Sequence, residues 1–399
     1  MEIPLLDLVS GGLLGFGPVP VILATLGMVQ LTIASVTLYL HRSQAHRAVD
    51  FHPLVSHVMR FWLWLTTGMV TREWVAIHRK HHARCETSDD PHSPVVHGIR
   101  KVLWDGVSLY RQEAANAETL RRFGQGTPDD WLERRVYAAH PLLGISLLLV
   151  IDLALFGAIG LTVWAVQMLW IPFWAAGVIN GLGHWWGYRN YQTPDTSTNL
   201  SPLAVWIGGE ELHNNHHAFP NSARFSSRWF EFDIGWMYIR LLGVLGLAKV
   251  RTVAPPRPRI QPGKDLVDLE TVRAVVVGRM HVMAGYARMV VRPVLREYLR
   301  ELGGGRRAWR RLRALLTREE VLLSEGERSE LARLLDRDTR LRMVYEYRAR
   351  LQALWGRAAS GQEAMVQALR DWCAQAEASG VQALQDFARH LRSYSLQAA

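Results

Sequence analysis

His78, His81 and His82 in the run HRKHH, and His213, His216 and His217 in HNNHH, repeat one spacing, His-x-x-His-His, more than a hundred residues apart. With 16 histidines in 399 residues, one such triple is expected about 0.03 times by chance, so the repetition asks for a chemical reason. Imidazole is a common metal ligand. On a helix, residues at i, i+3 and i+4 share a face, so each triple can aim at a common centre. A further pair, His41 and His46 in HRSQAH, is five residues apart, which suits a helix end that unwinds slightly. His184 follows Asn180 by four residues in NGLGHWWGYRN, again on one helical face. Nine imidazoles exceed one octahedral shell but fit two metals with four or five nitrogens each, leaving positions for water or dioxygen. Asn180 could hold such a water. Ligand type alone leaves iron, copper, nickel and zinc open. Glu73, Glu86, Asp89, Asp90, Glu210 and Glu211 lie beside the clusters and can accept from the far ring nitrogens. His52, His57, His97, His140, His281 and His390 have no partner spacing, and His92 is expected only to order a loop.

These clusters must be carried by elements, and the elements read as membrane helices. Val19 to Leu40 has no charge; at 1.5 Å per residue it crosses a ~30 Å hydrocarbon layer, and it ends at His41. Pro141 to Ile179 is nearly twice as long and carries one charge, Asp152, which suits two spans joined by a turn near Gly157–Gly160. Leu54 to Val70 has a shorter apolar core preceded by His57 and Arg60, and reads as an interfacial or buried helix. All clusters then emerge on one side of the membrane. Arg42, Arg47, Arg72, Arg79, Lys80 and Arg84 flank them, while no Lys or Arg precedes Leu40, so the positive-inside rule places them in the cytoplasm. Leu5 to Phe16 reads as a short re-entrant or interfacial segment. The two cysteines, Cys85 and Cys373, provide neither a disulfide framework nor a cysteine-based metal site. After about Thr252 the composition changes to prolines and then to alternating charged and apolar residues rich in arginine. This divides the chain into a membrane domain, 1–250, a proline-rich linker, 251–264, and a helical extension, 265–399, whose deletion after Pro262 is expected to spare the metal site. Arg306, Arg307, Arg310, Arg311 and Arg313 read as a solvated or lipid-attracted face, and nucleic acid is not expected as a partner.

The order of the clusters, with the flanks EWVAIHRKHH, CETSDDPHSP, NGLGHWWGYRN and GEELHNNHHAFP, resembles the membrane-bound fatty acid desaturases, in particular the delta-9 acyl desaturases of bacteria and animals, over roughly Val19 to Val250. The resemblance implies an all-α integral membrane protein of about three to four transmembrane helices, with a His-rich cap on the cytoplasmic face of a bacterial inner membrane and a soluble helical extension. It implies that His41, His46, His78, His81, His82, His184, His213, His216 and His217 ligate two iron ions, that Asn180 joins through water, and that no further catalytic residue is needed. The family reaction removes two hydrogens from adjacent carbons of an alkyl chain with O2 as co-substrate. Reducing O2 to two waters takes four electrons, two from the substrate and two from outside. The chain has no cysteine cluster, no His-Pro-Gly-Gly haem signature and no Gly-x-Gly-x-x-Gly, which implies a separate donor such as a ferredoxin, a rubredoxin or a cytochrome b5-like protein with its reductase, docking on the basic face. Where animal acyl-CoA desaturases carry an Arg-Asp pair that helps hold the CoA head group, this chain has Ala76 and Ile77. An apolar pair favours an acyl chain on a membrane phospholipid over acyl-CoA. Three rival readings are a di-iron hydroxylase, which delivers OH in place of taking the second hydrogen, a His-rich metal transporter, and a zinc hydrolase, which would act without oxygen or reductant. Transporters bury ionisable groups near the midplane, whereas here the histidines sit at span ends.

Overall fold

The computed structural model describes residues 11–356 and 361–396. The remainder of the expected segment Leu5–Phe16, residues 5–10, lies outside the described residues. Among the described residues the chain is α-helical apart from three short two-stranded pairings and an isolated bridge. It forms two compact units: residues 1–189 with 196–254, and residues 255–399 with the short stretch 190–195.

In the first unit, helix α1 spans Pro18–Ala45, entered through a proline in its first turn and completed by a π-helix, Val36–Ala45. Helix α2, Pro53–Thr67, begins at a proline capped by the His52 side chain and stops at Gly68, whose left-handed φ of 63° ends the ladder. Helix α3, Thr71–Arg84, carries the HRKHH run. Helices α4, Ile99–Ala114, and α5, Ala117–Phe123, follow. The 42 apolar residues Pro141–Leu182 do not run as one rod. Trp164 Nε1 donates to the Ile145 carbonyl at 2.9 Å and Gln167 Nε2 to Asp152 Oδ2 at 2.9 Å. Along a straight helix Trp164 and Ile145 would stand about 28 Å apart. The stretch is therefore a hairpin of α6, Pro141–Phe156, a turn of 3₁₀ helix, Gly157–Ile159, and α7, Gly160–Ile171, which continues as a π-helix, Pro172–Leu182. Pro172 has no N–H to complete an α ladder, a cause of the local change in winding. At the hairpin tip, Leu13 and Leu14 donate to the carbonyls of Ala154 and Leu155. Apolar side chains such as Val19, Leu23, Leu142, Val150 and Leu169 face outward, as a lipid-facing surface requires. The pair that α4 makes with the π-helix rests on small residues. A Cβ on Gly106 would lie 2.9 Å from the Ala176 carbonyl oxygen, and one on Gly177 2.5 Å from that of Leu103. The unit closes with α8, His213–Ala218, and α9, Ile234–Val244, and with the pairing of Val49–Phe51 to Ala248–Val250.

The second unit is a helical bundle: α10 Leu269–Val277, α11 Arg279–Glu301, α12 Arg306–Thr317, α13 Glu325–Arg337, α14 Thr339–Gly356, α15 Gln362–Ala378 and α16 Gln382–Arg392. Capping boxes at Asp268–Thr271 and Ser324–Glu327 start two of them. Its core includes Tyr286, Leu295, Leu351, Leu384, Phe387 and Leu391. An apolar stretch runs across α10 and the start of α11, but the two helices bend by 84° at their junction and bury residues such as Val272, Val275, Val282 and Met283 in their own bundle. The proline-rich stretch expected as a linker is partly ordered here: Arg259–Ile260 pair antiparallel with Tyr394–Ser395. Tyr191, from the short stretch counted with this unit, is fully buried and hydrogen-bonds His281. His281 in turn donates to the Pro255 carbonyl.

Candidate metal centre

The π-winding of Val36–Ala45 explains how two histidines five residues apart meet. His46 N–H donates to the His41 carbonyl at 3.1 Å, an i to i+5 bond, and the two rings come within 4.9 Å, centroid to centroid. From α3, His78 and His82 point to the same place; from α8, so does His216. The five rings of His41, His46, His78, His82 and His216 offer ligand atoms that all lie within 4.8 Å of one another. Their ε nitrogens converge: His46 to His78 is 2.8 Å, His41 to His216 is 3.0 Å, and His216 to His82 is 2.9 Å. An octahedral ion with metal–nitrogen bonds of about 2.1 Å separates neighbouring nitrogens by about 3.0 Å, so these spacings fit ligands that could share a cation.

A second group forms beside the first from His81, His184 and His217, with Cys85, and His213 Nε2 lies 3.1 Å from His184 Nε2. The rings of His82 and His217 stack at 4.4 Å, joining the groups. Each His-x-x-His-His run is thus divided between two centres and does not serve one: His81 leaves His78 and His82, and His217 leaves His216. Adjacent helical positions i+3 and i+4 differ by 100°, enough to feed two neighbouring groups from one helix. Asn180 stands within the π-helix, four residues before His184.

Carboxylates fix three of the rings. His41 Nδ1 donates to Glu210 at 2.8 Å, and Thr37 also donates to Glu210. His81 Nδ1 donates to Asp90 at 3.0 Å. His184 Nδ1 lies 3.4 Å from Glu86, which accepts from Thr196 as well. A carboxylate on Nδ1 holds the proton there and leaves the Nε2 lone pair facing the centre. Burial, and then the surrounding imidazoles, push His78, His82, His213 and His216 well below the ordinary imidazole value; the rings are neutral at pH 7, as ligands must be. Burial alone would raise the Asp90 carboxyl, but His81 and the Glu86 N–H hold it well below the usual carboxylate range. Glu86 itself sits at φ 61°, a left-handed conformation that costs a side-chain-bearing residue energy and clusters at functional sites. Of the other acceptors expected, Glu211 instead binds the backbone N–H groups of Trp206, Ile207 and Gly209, and Asp89 is exposed.

Several supports carry no signal in the sequence. Arg42 is fully buried, pairs bidentately with Asp233, donates to the carbonyls of Gly208 and Ala223, and lies 3.8 Å over the Phe225 ring. Phe225 packs against His41 and His216, so this ion pair ties the π-helix to the segment after α8. A Cβ on Gly209, at φ 101°, would fall 2.4 Å from Asp233 Oδ1. The six residues of α8 are held by buried amides: Asn199 and Asn215 bond each other twice, and Asn215 donates to Glu231. His92, expected to order a loop, is buried and stacks on His81 at 4.3 Å, forming a third group with His81 and Asp90. Beside His46 a surface pocket of about 500 Å³ opens, lined by Arg47, Arg79, Arg122, Gln125 and Asn221 among others.

Comparison with known proteins accords with this geometry. The family model described as fatty acid desaturase matches residues 16–233. A second model, described as transposase, matches residues 270–397. The sn-1 stearoyl-lipid 9-desaturase of Anabaena variabilis is 31% identical over 219 residues, 53% of this chain and 76% of that protein. Delta-9 acyl-lipid desaturase 2 of Arabidopsis thaliana is 32% identical over 234 residues, covering 56% and 72%. An acyl-CoA 5-desaturase of Anemone leveillei is 33% identical over 219 residues, covering 53% and 65%. With clustered histidines that can hold a metal, apolar helices long enough to cross a membrane, and a family match over more than half its length, the chain belongs to the fatty acid desaturase family: it is a membrane oxidoreductase of the delta-9 desaturase group, acting on fatty acyl chains.

Proposed function

We propose that the two histidine groups hold two iron ions, with His41, His46, His78, His82 and His216 at one and His81, His184, His213 and His217 at the other, and Asn180 reached through water. The observation that carries this reading is the convergence of ε nitrogens at 2.8–3.1 Å, with the rings of His41, His81 and His184 oriented by Glu210, Asp90 and Glu86. Iron bound there would supply, with O2, the oxidising power to take two hydrogens from adjacent carbons and leave a cis double bond. The chain's own residues keep the nine rings in register through Arg42–Asp233 and the Asn199–Asn215–Glu231 network.

The two electrons that the substrate does not supply come, in this reading, from a separate donor protein. The pocket beside His46 supports an acidic donor. The Arg79 guanidinium is spent on the carbonyls of Gln44, Ala45, Phe123 and Gln125, but Arg122 makes no ion pair among the described residues and presents its charge outward. The basic flanks support a cytoplasmic position for this face. For the acyl carrier, a phospholipid is favoured: Ala76 and Ile77 are buried and apolar, and two of the relatives above are named as lipid desaturases. We read 1–250 as the catalytic domain, 251–264 as the junction and 265–399 as an appendage. Expression in a host lacking unsaturated fatty acids, followed by double-bond mapping by lipid class and iron analysis of the purified protein, tests the whole reading. A delta-9 alkene on phospholipid with two irons per chain is expected. An alcohol product would make it a hydroxylase, and a protein active with another metal would remove the iron.

A further inference from the structure

The second unit carries a charge pattern that nothing in the metal centre uses. Along α11, Arg288, Arg292, Arg296 and Arg300 recur every four residues, a spacing that makes one stripe. Helix α12 holds five arginines and no carboxylate, and Arg306, Arg310 and Arg313 fall on one of its faces. The two helices are consecutive and packed together: Leu295 and Leu299 of α11 share a core with Leu315 and Leu316 of α12. Arg313 lies near enough to Arg292 that, after burial, this neighbour is what pushes its guanidinium down.

Elsewhere in the same unit arginines are matched: Arg311 with Glu330, Arg318 with Glu327, Arg340 with Glu301 and Arg392 with Glu377. None of the seven stripe arginines has a carboxylate partner among the described residues. Glu297 is the one carboxylate of α11 left unpaired there, and it is exposed beside Arg296. Between the helices, the Gly303–Gly305 turn presents an exposed Leu302, and Arg313 stacks over the half-buried Trp309. Seven like charges held on two packed helices repel one another unless an extended anionic surface meets them. This unit follows directly on a membrane-embedded one at Pro255, so an anionic bilayer is always within reach.

We propose that the α11–α12 arginine face docks on the head groups of anionic phospholipids, with Leu302 and Trp309 entering the interfacial layer. Guanidinium groups pair with lipid phosphates in forked geometry, and their attraction to an anionic leaflet is additive and salt-sensitive. The match of residues 270–397 to a transposase model makes nucleic acid the competing polyanion.

The full-length protein, held in phosphatidylcholine nanodiscs, is mixed with sucrose-loaded vesicles containing phosphatidylglycerol and with matched phosphatidylcholine vesicles, and co-sedimentation is measured. Capture by the anionic vesicles only is expected, weakening steeply with salt. The triple variant R306E/R310E/R313E should bind them about a hundredfold more weakly. A control with the same change in charge off the stripe, R328E/R333E/R337E on α13, should bind as the parent does. Far-UV circular dichroism and thermal melting check that both variants are folded; should the stripe variant not fold, R306Q/R310Q replaces it. Equal loss in the control would reduce the effect to net charge and overturn the proposal. So would capture by both vesicle types, or a tighter, stripe-dependent complex with duplex DNA at the same salt.

Discussion

At the scale of the residue, Asp90 and Glu210 do their work through His81 and His41. Replacing either by its amide, Asp90→Asn or Glu210→Gln, removes the charge that fixes the ring's proton on Nδ1, and should lower metal affinity by about 10–100-fold. Competition with a chelator, followed by metal analysis, reads this without any assay of turnover. Arg42 is a different case. Arg42→Met leaves Asp233 buried and unpaired, which should cost about 3–5 kcal/mol, whereas the double change R42M/D233L should be much milder; melting temperatures in detergent check both. The nine histidines were legible because their spacing is improbable and their chemistry narrow. Arg42 and Asp233 were not, since 191 positions separate two residues that look ordinary alone, and only the fold brings them to 2.9 Å. His92 escaped for a related reason: its relevance lies in stacking on His81, a contact that spacing does not encode.

At the scale of the element, the histidines depend on how closely helices approach. Gly177→Leu would drive a side chain into the Leu103 carbonyl and part α4 from the π-helix that leads to His184. A loss of about 1–3 kcal/mol is expected from such overpacking, read as a lower melting temperature and, because His184 moves, as lost metal. The Arg60 pair tests a polar contact between α2 and the segment that precedes α6. Hydrogen bonds from Arg60 hold the Asp130 carboxyl down to about 2. A depressed carboxyl stabilises fully above its unfolded value near 4, and that contribution is lost as pH falls toward 2. Asp130 is nearly half exposed, so with screening discounted the effect is about 1 kcal/mol. Glu133, raised by burial despite Arg60, acts in the opposite sense at higher pH, so Asp130→Asn against the parent isolates the low-pH step. Helix identities and the hairpin were readable from apolar runs and from Gly157 and Gly160. The unwinding at Val36–Ala45 was readable from His41 and His46 standing five apart, whereas the π-winding of Pro172–Leu182 was not, because it answers to Pro172, which apolar periodicity does not report.

At the scale of the whole molecule, the donor and the extension set the expectations. Arg122→Glu should raise the KM for an acidic donor several-fold at low salt, with the difference shrinking as ionic strength rises and metal content unchanged; steady-state kinetics against donor concentration would show it. The extension reads in the sequence as an appendage whose deletion after Pro262 spares the metal site. Residues 190–195, however, count with the second unit, and Tyr191 is buried there against His281, which favours the opposite outcome. A chain ending at Ala254 should therefore become sensitive to protease between His184 and Thr196 and retain less metal than the parent. Those six residues come between His184 and His213 in the sequence, so the polypeptide is laced and not merely appended. No single cut in the sequence therefore separates the two units cleanly.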